Sequence, residues 1–546
     1  MRNHVLGATN RVARPLNVFE LAPLIADLMK DYNGKRKVGK LMQAYEAAWA
    51  RLQHHDPGFA QSPIDVQFGT DLLNWLKFHR AMLIGEVIPL FHGYLRTNPA
   101  AQERREFAHI LVDEFQDLNK AEQDVVRFLS DGADVCIVGD DDQSIYSFKY
   151  AHPEGIRDWL ELHPNADDLH LDDCRRCPTR VVEMANSLIS FNKMRPVPRD
   201  LVPIPGNGEG DVRIIQYENL DDEVSGITNI VIDLIGQGMA PGDILVLAQR
   251  KEIGTPIYES LIASDIPARS YYSEAELHSH DAQWGFALLK LFADREDRVA
   301  LRWLVGLSGS NWNAAGYKRI RQHCEESGAS PWVVLSALSA GVLKLSYTAK
   351  IIEAFTELVG ELDALEKCAD LEEVVGLLFP LENDSVRDIR EIAIALAKGL
   401  GMNDRTVFIS ELTTVISQPD IPSLIEDVRV MSLHKSKGLS APVTIIAGCV
   451  EGLLPRQPDA ELPEAEAAAM IEEQRRTFFV GITRVKALPA EGKPGTLVIT
   501  YARKMSIALA KRALITPAST SYGVANLLAS RFVIELGPHA PASVKG

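Results

Sequence analysis

Two carboxylates in succession, Asp113 and Glu114, close an aliphatic run (HILVD) that reads as a strand of a parallel sheet. Such sheets place their ligands at the carboxyl ends of the strands. There one carboxylate can hold a magnesium ion while the other orients and deprotonates an attacking water. An acidic loop that caps the following helix accounts for the same residues equally well. A second run, DVCIVGD at 134–140, leads into Gln143, Tyr146, Phe148 and Lys149. An amide, two aromatics and a cation in one loop suit a phosphate sensor beside a base-stacking platform. A turn whose aromatics return to the core is the alternative.

These groups need elements to position them. HILVD, DVCIVGD and DILVLAQ (243–249) are short aliphatic runs bounded by polar residues, and all three are expected to be strands buried on both faces. A helix-like stretch from Asn119 separates the first two, so the pattern is α/β alternation. A second α/β set follows Pro205: DVRIIQY, a helix from about Asp221, DILVLAQ, then VRVMSL, VTIIAGC and TLVITYA. The interval between is rich in helical spacing, as at Trp284, Leu288 and Leu291. The expected organisation is a helical domain at 1–107, an α/β domain at 108–204, and a second α/β domain at 205–272 and 427–536. A helical insertion at 273–426 interrupts the latter, and 537–546 reads as a loose tail.

At 546 residues the chain exceeds one hydrophobic core several times over. Its net charge of −17 means that nucleic acid would have to be met by local basic and aromatic patches. No apolar run approaches the roughly 20 residues of a membrane span, and the first residues lack the apolar core of a signal peptide, so a cytoplasmic protein without membrane contact is expected. Six scattered cysteines give no disulfide framework and are expected reduced.

DEFQD followed by VGDDDQSIYSFKYA resembles motifs two and three of the UvrD/Rep-like superfamily 1 helicases. LDDCRRCPTRVVEMAN is similar to motif four, VRVMSLHKSKGL to motif five and EEQRRTFFVGITR to motif six, in the family's order, and SRFVIEL is similar to a segment near the family's end. The resemblance covers about 108–536. It implies two RecA-like parallel-sheet motor domains, the first incomplete, with helical insertion domains. It implies ATP and Mg2+ as cofactors and single-stranded or tailed DNA as partner. Position by position, it implies that Asp113 binds magnesium, Glu114 is the catalytic base, Gln116 couples the site to the second motor domain and Gln143 senses the γ-phosphate. Arg175 and Arg484 would stabilise charge on that phosphate as arginine fingers; without the motif, a surface ion pair is the ordinary reading of a lone arginine. Tyr146, Phe148 and Lys149 would stack and hold the DNA strand. His434, Lys437, Gly438 and Leu439 would form the loop that touches both DNA and nucleotide.

Departures from the pattern carry equal information. Cys174 stands where many relatives have a tyrosine against adenine, Ser440 replaces a glutamate in motif five, and Phe479 replaces a tyrosine in motif six. Cys174 and Cys177 form a C-x-x-C without a second pair, so as a zinc site it is incidental. The family's GxGKT phosphate loop is missing. Gly34, Gly39 and Lys40 fit G-x-x-x-x-G-K, but Leu41 follows and the segment reads as an amphipathic helix, with Lys40 on its polar side. The resemblance therefore implies a loop carried by a partner chain, a truncated start, or a relative that no longer hydrolyses ATP. The leading expectation is an ATP-dependent 3′ to 5′ DNA helicase or translocase in DNA repair or antiphage defence. The alternative is a non-catalytic DNA-binding or adaptor subunit of a nuclease or repair complex.

Overall fold

The structure is a computed structural model that describes residues 14–53, 62–193, 195, 200–272, 277, 279–309, 311–417 and 425–546; the side chains of Phe148 and Arg157 lie outside that description. Two compact units emerge, one of Met1–Ile110, Asn119–Val135 and Glu274–Ile421, the other of Leu111–Leu118, Cys136–Ser273 and Pro422–Gly546.

The first unit is helical. Its amino-terminal part contains Leu21–Leu28, Lys35–Ala50, Pro63–Phe78 and Val87–Thr97, and its later part runs from His280–Ala293 to Arg405–Ser417. Buried charge joins the two parts: Arg14 binds Glu20 at 2.6 Å and Asp297 at 2.7 Å, and Lys290 reaches Glu20 at 3.1 Å. Arg302, fully buried, pairs with Asp27, which also accepts from the Trp75 indole N–H at 2.9 Å. The stretch Gly34–Lys40 lies at and inside the helix Lys35–Ala50, with Lys40 exposed. It does not form the strand-to-helix turn whose successive free N–H groups grip phosphate. Among the described residues no helix is long and apolar enough to cross a membrane.

The second unit is built on a nine-stranded sheet. Its parallel core places Val544–Lys545, Asp211–Asn219, Thr496–Ser506, Val443–Ala447, Ile244–Ala248, Val428–Met431 and Ala268–Ser270 side by side. Ile244–Ala248 and Val443–Ala447 are buried at every residue, as continuous aliphatic runs covered on both faces should be. Helices Leu220–Gly236, Lys251–Ala263 and Glu464–Ile482 pack on this sheet.

Two expectations are corrected here. The terminal segment is not a loose tail: Val544 and Lys545 add a parallel strand beside Ile215 and Gln216, and the Gly546 N–H donates to the Gln216 carbonyl. An open strand edge offers backbone donors and acceptors to any extended chain, whatever its side chains. The other correction concerns β1 (His109–Val112) and β2 (Asp134–Ile137), which form a two-stranded sheet by themselves. They are not buried on both faces: Leu111 is 81% exposed and Val138, just past β2, is 47% exposed. Apolar spelling promises burial only when neighbouring elements supply the cover.

Glu223 ties helix to sheet. It is fully buried, and its Oε1 accepts from the Gly448 N–H at 2.8 Å and the Thr500 hydroxyl at 2.5 Å, while Oε2 has no partner among the described residues. Burial pushes its carboxyl above the ordinary 4.5. The folded chain therefore holds this proton more tightly than the unfolded chain, and stability is lost as pH rises from about 4.5 through the raised folded value. Glu223→Gln should flatten that fall, so that the urea midpoint of the variant changes less with pH than the parent's. Parallel midpoint curves from about pH 4 to about pH 8 would refute this.

Candidate functional site

The site starts at the carboxyl end of β1. Asp113 is exposed, and the Glu114 N–H donates to Asp113 Oδ1 at 2.9 Å. Glu114 adopts a left-handed backbone, φ 52° and ψ 40°, a conformation that costs a non-glycine residue about 1 kcal/mol or more. Three features hold it there. Phe115 is buried edge-on against Trp159 at 5.7 Å, and its N–H donates to the Val138 carbonyl. Gln116, fully buried, donates from Nε2 to Glu114 Oε2 at 2.6 Å and accepts the Asp140 N–H on Oε1 at 3.0 Å. Gln116 thus couples the acid loop to the end of β2. Gly139 is needed beside it, because a Cβ there would lie 2.5 Å from Gln116 Oε1.

The Gln143 loop is held from both sides. Gln143 Nε2 donates to Asp140 Oδ2 at 2.7 Å, and Asp142 is clamped by Arg195 at 2.6 Å. From the helix Glu464–Ile482, Arg476 donates to the Ser144 carbonyl at 2.9 Å, and Glu473 accepts the Ser147 N–H at 2.9 Å. Tyr146 donates its hydroxyl to the His434 carbonyl at 3.2 Å, and its ring carries the ammonium groups of Lys149 at 4.9 Å and Lys437 at 5.4 Å. His434 is half-buried, and burial lowers its imidazole pKa. The Phe148 side chain lies outside the described residues.

Lys437 is the hub. Its ammonium lies 2.6 Å from Asp117 Oδ2, 2.8 Å from the Gln143 carbonyl and 3.2 Å from Glu114 Oε2, with the side chain only 5% exposed. Burial pushes the Asp117 carboxyl up, against the opposing pull of Lys437, and Asp117 Oδ1 is buried without a partner among the described residues. Gly438, next in the chain, has φ +81°, which a side chain would strain.

The two expected arginine fingers differ in their surroundings. Arg175 is exposed. Arg484 is 1% exposed and donates to the carbonyls of Val480 at 2.8 Å and Leu439 at 3.1 Å. Burial, reinforced by Arg176, pulls its guanidinium down to about 10, still charged at neutral pH. Arg176, which the sequence reading passed over, is therefore the motif-four arginine that Arg484 feels. Two arginines in succession offer no pattern that chooses between them.

The fit to a magnesium nucleotide is partial. Asp113 is an exposed carboxylate at a strand end, with Glu114 beside it and the unpartnered Asp117 oxygen nearby. Among the described residues no group of three or more His, Cys, Asp or Glu is placed to hold an ion, so Asp113 would share magnesium with water and phosphate oxygens.

Comparison with known proteins gives two family matches: the UvrD/REP helicase N-terminal domain over residues 11–163 and the UvrD-like helicase C-terminal domain over 382–488. The chain is 27% identical over 458 residues to "ATP-dependent DNA helicase UvrD1" of Mycobacterium leprae, covering 74% of this chain and 57% of that protein. It is 27% identical over 406 residues to "DNA helicase II" of Salmonella typhimurium, covering 70% and 55%. To "DNA helicase II" of Haemophilus influenzae it is 26% identical over 496 residues, covering 85% and 67%. The chain thus spans little more than half the length of the first two.

Replacing Lys437 by Met strips the Asp117 carboxylate, 16% exposed, of its cation. The expected loss is about 1–3 kcal/mol, and Asp117→Asn in the same chain should recover part of it, with the pair non-additive by about 0.5 kcal/mol or more. A double-mutant cycle of urea midpoints measures this. Strictly additive effects would show that the contact contributes nothing.

Proposed function

From the premise that the chain belongs to the UvrD/Rep-like superfamily 1 helicases, we propose that it is the larger part of an ATP-dependent DNA helicase or translocase. In this reading it moves 3′ to 5′ along single-stranded or tailed DNA, in the cytoplasm, in repair or antiphage defence. Residues 1–107 and 273–426 serve as helical lobes beside two motor domains, 108–204 and 205–272 with 427–536. What carries the reading is the gathering of Asp113, Glu114, Gln116, Gln143 and Lys437 at one sheet edge.

Bound ATP with magnesium supplies the phosphoryl group whose transfer to water releases the free energy. Asp113 would hold the ion, and Glu114, preset in its left-handed turn, would accept the proton of the attacking water. Gln116 and Lys437 pass any shift of Glu114 to the Gln143 loop and to the loop of His434–Gly438, where Tyr146, Phe148 and Lys149 meet the DNA strand. Arg484, with Arg175 or its neighbour Arg176, offsets charge developing on the γ-phosphate.

A specific observation favours a second reading, a non-catalytic DNA-binding or adaptor subunit of a nuclease or repair complex. The stretch Gly34–Lys40 is helical, so this chain offers no row of N–H donors there for the β- and γ-phosphates. A phosphate loop on a further segment or a partner chain reconciles the two readings.

The 546-residue chain alone is expected to show no DNA-stimulated phosphate release above background, since positioning and electrostatics supply most of the rate in phosphoryl transfer. Adding a segment that bears the phosphate loop should restore release, and Glu114→Gln should abolish it again. Turnover by the chain alone would overturn the assignment of the missing loop; silence after restoration would favour the adaptor. For the DNA contact, Phe148→Ala should weaken single-strand binding by about 1–3 kcal/mol with little sequence dependence, and an unchanged Kd at fixed salt would place Phe148 elsewhere.

A further inference from the structure

The spacing of Cys174 and Cys177 marks the pair as incidental for zinc, but spacing contains nothing of its surroundings. Cys174 ends the short strand Asp173–Cys174 and is partly exposed, whereas Cys177 is fully buried just ahead of the helix Thr179–Ile189. Cys177 Sγ donates to the Thr483 carbonyl at 3.4 Å. Hydrogen bonding from Cys177 and from the backbone of Arg176 and Cys177, with the Arg176 charge, bears on the titration of Cys174. These donors draw the Cys174 thiol down to about 6, while the Cys174 sulfur and burial push the Cys177 thiol up. A partly exposed thiol three residues ahead of a buried one, at the turn from a strand into a helix, is an arrangement that suits exchange with a disulfide. The other four cysteines stand far from one another in sequence: Cys136 is exposed, Cys368 partly exposed, and Cys324 and Cys449 buried.

We propose that Cys174 and Cys177 form a thiol–disulfide modification site, with Cys174 as attacking sulfur, Cys177 as resolving sulfur and a small-molecule disulfide such as oxidised glutathione as oxidant. The Cys174 thiolate attacks one sulfur of the oxidant, whose S–S bond breaks, and the first glutathione leaves as a thiolate. Cys177 then gives its proton to that thiolate or to water, and its sulfur attacks Cys174 Sγ and expels the second glutathione. Two protein thiols become one disulfide, and one oxidant disulfide becomes two thiols. The bond consumes the Cys177 S–H, so the contact with the Thr483 carbonyl, one residue from Arg484, is lost on oxidation and regained on reduction. The site stands on its own geometry and does not depend on ATP hydrolysis.

The test incubates the full chain with oxidised glutathione, quenches with acid, alkylates, and reads each cysteine by peptide mass spectrometry, with exposed Cys136 as internal control. Alkylation of both Cys174 and Cys177 should fall at least about tenfold, with the loss of two hydrogens from the peptide that holds them, and dithiothreitol should restore it. Cys177→Ser should halt at a mixed disulfide on Cys174, and Cys174→Ser should leave Cys177 reduced. The proposal is overturned if both thiols of the parent chain stay alkylatable at a glutathione disulfide concentration that fully modifies Cys136. A parent chain that stops at a mixed disulfide on Cys174 overturns it as well. Both decisive measurements use the parent, so a misfolded variant does not blur them.

Discussion

A single ammonium group stands between three stretches of chain and reinforces the hydrogen bonds of Gln116 to Asp140 and of Tyr146 to His434 that also join them. Lys437 donates to Asp117 and to the Gln143 carbonyl, and it pairs with Glu114 at 3.2 Å. The region is crowded with acid: Asp113, Glu114, Asp117, Asp140, Asp141 and Asp142 fall within thirty positions of each other. Without a cation these carboxylates would repel one another and take up water. An ammonium with three donors satisfies a mixed set of carboxylate and carbonyl acceptors that a planar guanidinium, suited to bidentate pairing, fits less well. The same contact makes the loops interdependent. Any ligand that competes for Glu114 alters the hold of Lys437 on the Gln143 loop, and by linkage whatever displaces Lys437 alters Glu114.

Much of the fold was legible. Aliphatic runs marked the strands at 244–248, 428–431, 443–447 and 496–506, and an Asn119 cap with Glu122 three residues later starts the helix Lys120–Leu129. What failed was cover rather than conformation. HILV and ILVLA are spelled alike, yet the first is half bare and the second wholly buried, because burial depends on neighbours that a local pattern does not contain. The terminal strand was missed for a related reason: its pairing with Asp211–Asn219 uses backbone groups, which polar and small side chains do not advertise.

The sequence nominated members of the candidate site and not its wiring. Asp113, Glu114 and Gln143 could be named from order and type, but the bridging of Gln116 between Glu114 and Asp140, and that of Lys437 across some three hundred positions, are products of folding. At Arg175 and Arg176 the ambiguity is one residue wide, and only burial separates an exposed guanidinium from one that bears on Arg484. For Cys174 and Cys177 the spacing alone supported no zinc site. Their chemistry lies in the Thr483 carbonyl and the Arg176 donors around them, which no spacing rule reports.

The backbone at Glu114 bears on which of the two functional readings the geometry favours. A left-handed glutamate persists only when its surroundings over-determine it, and here a buried glutamine, a buried aromatic pair and a lysine all do so. Those contacts fix the direction of one carboxylate at a strand end. A surface that only binds a nucleic-acid strand gains little from that, because such contacts draw on cations and aromatic faces rather than on the direction of a carboxylate. A carboxylate that must accept a proton from one particular water does gain, since orientation set in advance lowers the barrier to that transfer. The constraint on Glu114 therefore weighs toward a chain organised for hydrolysis.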